Sequence, residues 1–189
     1  MSQYVLNTWY PLTWARNVGR ALSAHRIIEQ QVVLYRTEAG RVVAMEDACP
    51  HRLMPLSMGK LKGDAIECGY HGMTYDCTGQ CVRIPGQPQI PANAVVQTFP
   101  THEHMGLVWI WMGDPALADP TQVFDLPQYH DPAWSAVEGD ALEIGTHYLN
   151  LADNLCDPSH VSFVHLSTLG NAASEDVPVQ SQEEDGKVV

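Results

Sequence analysis

Charged residues are scarce in this sequence, and positive charge is almost absent from its second half. Lys and Arg number 10 against 22 Asp and Glu, which gives a formal net charge of −12. So acidic a chain disfavours nucleic acid as a partner, because Lys and Arg provide most of the binding to phosphates. Residues 1–83 carry nine bases and seven acids, whereas residues 84–189 carry one base, Lys187, and fifteen acids. The sequence therefore predicts two chemically different halves.

The chain also lacks an apolar run of the about 18 residues that a membrane-spanning helix needs. Its first residues lack the basic and apolar regions of a secretory signal peptide. We therefore expect a cytoplasmic protein without a membrane partner, in a compartment where disulfides are rare. The apolar content of 45% excludes a disordered chain. A length of 189 residues allows one large domain or two small ones.

Cysteines are few and odd in number, which argues against a disulfide framework: Cys49, Cys68, Cys77, Cys81 and Cys156. In a reducing compartment, closely spaced cysteines indicate a metal site before a disulfide. Two of them stand close to histidines, because Cys49 is followed by His51 and, after sixteen intervening residues, Cys68 is followed by His71. Two thiolates and two imidazoles are enough to bind a soft or borderline metal.

Two kinds of metal site fit this set. A structural zinc site can have the same Cys₂His₂ composition, but zinc fingers usually place both cysteines in one loop and both histidines in another. Here each loop supplies one Cys and one His, with the Cys first. A Rieske [2Fe–2S] cluster requires this mixture, since two thiolates hold one iron and two histidines hold the other. We favour the Rieske cluster and keep zinc as the alternative.

Residues 49–71 resemble the C-x-H-x₁₆-C-x₂-H motif of Rieske proteins. The high-potential respiratory members carry two further cysteines and a serine beside the cluster, and Met54, Tyr70 and Met73 stand at about those positions here. The resemblance therefore implies the oxygenase and ferredoxin branch. It also implies a reduction potential in the lower part of the Rieske range of roughly −150 to +300 mV.

A second dense group of polar residues lies farther along the chain: Asp153, Asn154, Asp157, His160 and His165. On a straight helix the two aspartates and His160 share one face, but His165 is turned about 140° away from His160. Pro158 disfavours helical backbone at Asp157 and suits the first turn of a helix. We therefore expect the helical region 148–165 to break and restart with Asp157 as N-cap, which brings the two histidines together.

Two neutral imidazoles and one carboxylate form the facial triad of mononuclear non-haem Fe(II) sites. Alone, a pair of histidines five residues apart more often consists of one core and one surface histidine. After a Rieske motif, however, the pattern D-x₃-D-x₂-H-x₄-H resembles the Rieske non-haem iron oxygenases. The stretches NTWY near the start and GLVWIWMGDPALADP farther along resemble the vanillate O-demethylase and dicamba monooxygenase group in particular.

The resemblance implies roles for individual residues. His160 and His165 would ligate the mononuclear Fe(II), while the [2Fe–2S] cluster would take Cys49, His51, Cys68 and His71. Asp157 would join His71 of one subunit to His160 of the next, and so carry electrons between subunits. Asn154 would line the iron pocket. Asp153 is equally well explained as an acid on the helix surface.

The third iron ligand of this family is a carboxylate far downstream in the catalytic domain. We therefore expect that ligand beyond Val189, and we expect this chain to hold only the first part of the catalytic domain. Glu175 and Asp176 are alternative ligands, which we disfavour because their loop is polar and exposed in character.

The expected fold is α+β, with an all-β Rieske domain in residues 1–115. Short β-rich runs between Ile27 and Trp111 predict a small antiparallel sandwich or barrel. A turn-rich segment with a change in charge then predicts the domain boundary. Residues 116–189 would begin a sheet-and-helix, helix-grip-like catalytic domain, with a strand around Ala141–His147.

The resemblance implies the oxygenase component of a monooxygenase that hydroxylates or O-demethylates a small aromatic acid or methyl ether with O₂. Hydroxylation of an O-methyl carbon gives a hemiacetal, which collapses to a phenol and formaldehyde. Electrons would come from NAD(P)H only indirectly, through a flavin and iron–sulfur reductase or a ferredoxin, and the oxygenase would be a homotrimer. The alternative is a Rieske ferredoxin-like electron carrier without oxygenase chemistry. Three bases near the cluster, Arg52, Lys60 and Lys62, favour docking of an acidic donor.

Overall fold

The computed structural model describes residues 4–171, 176, 178, 180–184 and 187–188. The chain divides into two compact units, Met1–Ala136 and Val137–Val189. Within the described part, no helix has both the length and the apolar character needed to cross a membrane.

Strands dominate the first unit and short helices the second. The strands are β1 (Thr8–Trp14), β2 (Ser23–Ile27), β3 (Gln30–Arg36), β4 (Val42–Glu46), β5 (Lys60–Lys62), β6 (Ala65–Glu67), β7 (Thr74–Tyr75), β8 (Cys81–Arg83), β9 (Thr98–Phe99), β10 (Thr101–His104), β11 (Leu107–Met112), β12 (Glu183–Glu184) and β13 (Lys187–Val188). The α-helices are α1 (Pro127–His130), α2 (Tyr148–Cys156) and α3 (Val161–Val164). Single 3₁₀ turns span Ala15–Asn17, Leu56–Met58, Pro115–Leu117, Pro120–Gln122 and Pro158–His160.

Three antiparallel sheets build the first unit, as the β-rich runs predict. Their strand orders are β1-β11-β10, β2-β3-β4-β9 and β5-β6-β7-β8. The apolar run Val32–Tyr35 in β3 is completely buried, because cores form on both faces of its sheet. The first Cys and His loop lies between β4 of the second sheet and β5 of the third, whereas the second loop connects β6 to β7 within the third sheet.

Two strands precede Ile27, where the sequence pattern placed the beginning of the β-rich region. Pro11 weakens the sequence signal for β1, and the register of β1 with β11 shifts between Pro11 and Thr13. A proline is tolerated there because β1 is an edge strand of its sheet. The turn between β2 and β3 consists of Ile28 and Glu29, both with positive φ. Neither residue is typical of such turns, so the hairpin has no sequence signal.

Residues that follow Asp114 stay with the first unit. The Trp9 indole N–H donates to the Asp119 carbonyl oxygen at 2.8 Å. Val123 packs in a buried cluster with Trp9, Trp109 and Trp111. The two compact units therefore separate after Ala136, whereas the sequence placed the domain boundary after residue 115.

The expected strand around Ala141–His147 is wrong. Residues 141–147 are irregular, and Leu142 is 83% exposed. No strand among the described residues pairs with this segment, and an isolated strand leaves its backbone groups without partners. His147, the last residue of this segment, is instead the N-cap of α2: its Nδ1 accepts from the Leu149 backbone N–H at 3.3 Å.

Candidate metal centres

The two loops that hold the Cys and His residues are built alike. In the first loop the Cys49 backbone N–H donates to the Met54 carbonyl oxygen at 2.9 Å. In the second loop the Cys68 N–H donates to the Met73 carbonyl oxygen at 2.8 Å. Each cysteine is thus closed into a loop with the residue five positions later. The two loops can therefore face a shared ligand in equivalent ways.

Both loops turn back through a residue with positive φ, four positions after the cysteine. These residues are Leu53, with φ of 55°, and Gly72, with φ of 72°. Each donates its backbone N–H to the carbonyl oxygen of its cysteine, at 2.8 Å and 3.0 Å respectively. A Cβ atom on Gly72 would lie 3.0 Å from Pro85 Cγ, so glycine suits this position both in conformation and in space.

Asp47, two residues before Cys49, holds the start of the first loop in place. Asp47 is buried, and its carboxylate accepts from the backbone N–H and the hydroxyl of Ser57, each at 2.6 Å. Its own backbone N–H donates to the Gln31 carbonyl oxygen. These bonds tie the loop to β3, so the position of the first Cys and His pair is fixed by the sheet.

The four predicted cluster ligands differ in burial: the two cysteines are buried and the two histidines are exposed. Cys49 and Cys68 are 2% and 3% exposed, and they belong to the apolar core of this sheet. His51 and His71 are exposed, with ring centroids 4.7 Å apart. The thiols therefore lie on the protein side of the site and the imidazoles lie on the surface, facing an open groove that both histidines line.

The surroundings of the thiols fit an iron-bound sulfur. Burial raises the pKa of the Cys68 thiol, and the adjacent Cys49 thiol raises it further, while backbone N–H groups of Tyr70 and His71 lower it. A bound metal ion offsets this cost because it favours the thiolate. The backbone donors and the Tyr75 hydroxyl, 3.3 Å from Cys49 Sγ, supply hydrogen bonds to the sulfurs. Paired thiols and paired imidazoles, each pair adjacent, match the donor set of a [2Fe–2S] cluster.

The helix in the second unit breaks where the sequence predicts. α2 ends at Cys156, and Asp157 adopts extended backbone with φ of −104° and ψ of 92°. Its carboxylate then accepts from the Ser159 backbone N–H at 3.0 Å, which caps the 3₁₀ turn beginning at Pro158. The break confirms Asp157 as the N-cap. It also removes the single helix face on which Asp153, Asp157 and His160 would have aligned.

The break brings the two candidate iron ligands together. The rings of His160 and His165 are 5.2 Å apart and meet edge to face. Three backbone N–H groups, of Thr168, Leu169 and Gly170, donate to the His165 carbonyl oxygen and close the segment. A Cβ atom on Gly170 would lie 2.3 Å from the Val161 carbonyl oxygen, so this closure requires glycine.

Hydrogen bonds set the tautomer of His160. Its Nδ1 lies in short contact with the carbonyl oxygen of Asp157, and a carbonyl can only accept, so Nδ1 carries the proton. In the neutral imidazole Nε2 then has its lone pair, as a metal ligand must. The Asn154 side-chain nitrogen lies 3.4 Å from this Nε2, so Asn154 is part of the same site.

The predicted carboxylates stand apart from the two histidines. The Asp157 carboxylate is bonded to Ser159, and its link to His160 runs through the main chain. Asp153 is exposed on α2, Asp176 is exposed, and Glu175 lies outside the described residues. Among the residues that the structure describes, no carboxylate completes a three-ligand group with His160 and His165.

Two family models match the chain in the same order as the two sites. The Rieske [2Fe-2S] domain matches residues 8–100, and these residues contain both Cys and His loops. The first site is therefore that of a Rieske iron–sulfur protein. The Vanillate O-demethylase oxygenase C-terminal domain matches residues 144–189, which contain the histidine pair. The chain thus carries a Rieske domain followed by a match to the vanillate O-demethylase oxygenase C-terminal domain, and its relatives include vanillate O-demethylase and dicamba O-demethylase oxygenase components.

Individual relatives agree with this assignment. The chain is 40% identical over 168 residues to the iron–sulfur subunit of a toluene-4-sulfonate monooxygenase system of Comamonas testosteroni, covering 88% of this chain and 48% of the relative. It is 40% identical over 163 residues to the dicamba O-demethylase oxygenase component of Stenotrophomonas maltophilia, covering 86% and 48%. A crystal structure of dicamba monooxygenase bound to dicamba matches with a TM-score of 0.89 and 36% identity, over 98% of this chain and 55% of that one. The chain thus spans about half the length of the relatives it matches.

The sequence patterns missed two contacts in the Rieske site. Tyr75 follows His71 by four residues, but only the register of β7 shows that its hydroxyl returns to Cys49. The stacking of Tyr70 on His71, with ring centroids 3.9 Å apart, was also not predicted. An exposed aromatic residue directly before a ligand histidine is the signal that could have indicated it.

Proposed function

We propose that this chain is part of the oxygenase component of a Rieske monooxygenase, acting with O₂ on a small aromatic acid or aromatic methyl ether. The single observation that carries the proposal is the presence of two separate metal-ligand sets in one chain. One is the pair of Cys and His loops, and the other is His160 with His165, brought together by the break at Asp157. An electron carrier has no use for the second set.

The residues present fit both groups. Cys49 and Cys68 would hold one iron of the [2Fe–2S] cluster and His51 and His71 the other, while the histidine pair of the second unit would hold Fe(II). When bound, the cluster supplies one-electron transfer and the Fe(II) supplies activation of O₂. The protein contributes position and protonation: the Asp157 carbonyl keeps the proton on His160 Nδ1, and Asn154 lies beside Nε2.

We also propose that Asp157 acts between subunits of a homotrimer, through a hydrogen bond from its carboxylate to His71 of the neighbour. Two observations support this: Asp157 and His71 are both exposed. The hydroxyl and N–H of Ser159 lower the pKa of the Asp157 carboxyl, so it is ionised and can accept. The ring nitrogen of the neighbouring His71 that does not hold iron would carry a proton and be its donor.

Electrons would arrive from NAD(P)H through a flavin and iron–sulfur reductase or a ferredoxin. The names of the relatives support this and the substrate class, since two of them are components of a monooxygenase system or an O-demethylase. A reducing location such as the cytoplasm suits the cysteines, all five of which are free thiols in the structure.

Replacement of Asp157 by Asn tests the proposal. Asparagine is as good an N-cap as aspartate, so the fold and both metal sites should persist. Turnover of vanillate, dicamba or toluene-4-sulfonate, whichever the wild type accepts, should fall by at least an order of magnitude. Asp153→Asn, which removes an exposed acid of α2, is the matched control and should keep full activity. In the full-length oxygenase, full activity of Asp157→Asn would exclude the bridge, and inactivity of the wild type on every aromatic acid and methyl ether would exclude the substrate class.

A further inference from the structure

A third group of potential metal ligands lies in the first unit, away from the Cys and His loops. His104 Nε2 and His130 Nε2 lie 2.7 Å and 3.0 Å from the same carboxylate oxygen, Asp125 Oδ1. The ligand atoms of these three residues all lie within 4.8 Å of one another. Two imidazole nitrogens and a carboxylate oxygen thus converge on one point of the surface.

Three different elements supply the members of this group. His104 is the last residue of β10, and its carbonyl oxygen accepts from the Trp109 indole N–H at 3.1 Å. Asp125 lies in the loop before α1, and His130 ends that helix. The His104 side chain is only 26% exposed, while the other two are about half exposed. One ligand is therefore fixed by the sheet, and the other two belong to a segment that can adjust.

The chemistry of the group suits a divalent transition metal. Zinc is bound by imidazole nitrogens at about 2.0–2.1 Å and carboxylate oxygens at about 2.0–2.2 Å, which places tetrahedral ligand atoms roughly 3.3 Å apart. The present separations of 2.7 Å and 3.0 Å are only a few tenths of an ångström shorter. Small rotations of the exposed Asp125 and His130 side chains are enough to admit an ion.

We propose that His104, Asp125 and His130 form a structural Zn²⁺ site, with water as the fourth ligand. The ion would join residues 125–130 to the end of β10. This segment follows the 3₁₀ turns that pack on the tryptophan cluster. It meets the end of β10 through the hydrogen bond between His104 and Asp125 and through the His104 and His130 rings, whose centroids are 5.5 Å apart. A metal crosslink would hold the connection leaving the Rieske domain against its sheet. The proposal is independent of the function proposed above.

Zinc titration into the purified protein, with both iron centres loaded, tests the site. Calorimetry should show about one equivalent of Zn²⁺ bound per chain, and the thermal midpoint should rise on addition of ZnCl₂. In Asp125→Asn and in His130→Gln the affinity should fall at least tenfold and the midpoint should no longer rise. Asparagine and glutamine keep a hydrogen-bonding side chain, so both variants should fold.

The control is His102→Gln on the same strand. The His102 ring lies 6.1 Å from that of His104 but is not a member of the group. This variant should bind zinc like the wild type, and so should His160→Ala, which excludes exchange into the iron site. The proposal is overturned if the wild type binds no zinc or if Asp125→Asn binds it with wild-type affinity. It is also overturned if either control no longer binds one equivalent of Zn²⁺ per chain.

Discussion

The Tyr75 hydroxyl oxygen lies 3.3 Å from Cys49 Sγ, inside the buried core that the second and third sheets share. Burial raises the pKa of Tyr75 well above its ordinary value, and the neighbouring Cys49 raises it further, so the phenol keeps its proton. The Met73 thioether sulfur lies 3.6 Å from the same hydroxyl. An iron-bound thiolate can only accept and is a stronger acceptor than a thioether, so the hydroxyl donates to Cys49 when that sulfur is bound to iron. A donor to a cluster sulfur stabilises the more negative, reduced state and so raises the reduction potential.

Tyr75→Phe should therefore lower the reduction potential of the Rieske cluster while leaving iron content and the reduced spectrum intact. Phenylalanine keeps the ring in the core and removes only the donor. Redox titration followed by EPR measures the shift. Tyr70→Phe is the control, because Tyr70 is exposed and contacts His71 through its ring. An unchanged or higher potential in Tyr75→Phe would contradict the assignment of the hydroxyl as donor.

Gly72→Ala should cost cluster occupancy as well as stability. Alanine at φ of 72° costs about 1–2 kcal/mol. Its Cβ, on the second ligand loop, would press on Pro85, which follows β8. Iron and labile sulfide analysis together with thermal unfolding measure both effects. Gly40→Ala has comparable φ strain, at 85°, but no neighbour within 4 Å of the added atom. It should lower the unfolding midpoint yet retain a full cluster; equal cluster content in the two variants would show that the space beside Pro85 is unimportant.

His160→Ala should lose the mononuclear iron and keep the Rieske spectrum, because the two ligand sets belong to different compact units. Asn154→Ala should weaken iron binding less than His160→Ala does, because Asn154 lies beside His160 Nε2 but is not itself an iron ligand. Metal analysis of the as-isolated variants, with EPR of the reduced cluster, distinguishes these results. Loss of the cluster in His160→Ala would mean that the sites are misassigned.

Lys60→Glu should slow reduction by an acidic electron donor several-fold at low salt, and the difference should vanish at high salt. Lys60 is exposed beside the first ligand loop. Lys62→Glu should have a smaller effect on docking, because Lys62 already pairs with Glu67. Stopped-flow reduction over a range of ionic strength gives the rates, with Arg26→Glu on β2 as a control outside the cluster loops. If Lys60→Glu reacts like the wild type at every salt concentration, the docking patch does not exist.

The sequence was most informative where chemistry and backbone limits coincide. Cys49 and Cys68 each need a histidine within the same tight loop, so the spacing alone pointed to the cluster. Pro158 forbids a continuous helix, so the break at Asp157 and the approach of His160 to His165 could be foreseen.

Features that depend on distant packing were not predictable. No local sequence pattern predicts that the Tyr75 hydroxyl contacts Cys49 Sγ or that residues after Asp114 belong to the first unit. The group of His104, Asp125 and His130 has no motif spacing, because a strand, a loop and a short helix bring it together. The sequence predicted a strand around Ala141–His147, but strand formation needs a pairing partner that the described residues do not supply.

The central claim is that one chain carries both a Rieske cluster and a mononuclear iron site. Its most direct test is iron and labile sulfide quantification of the purified, iron-replete protein, with EPR after reduction. We predict about three irons and about two labile sulfides per chain, with a Rieske spectrum. If the protein holds two irons and two sulfides and binds no further iron after reconstitution with Fe(II), it is an electron carrier and the claim of a mononuclear site is wrong. Zinc without labile sulfide would contradict the Rieske assignment as well.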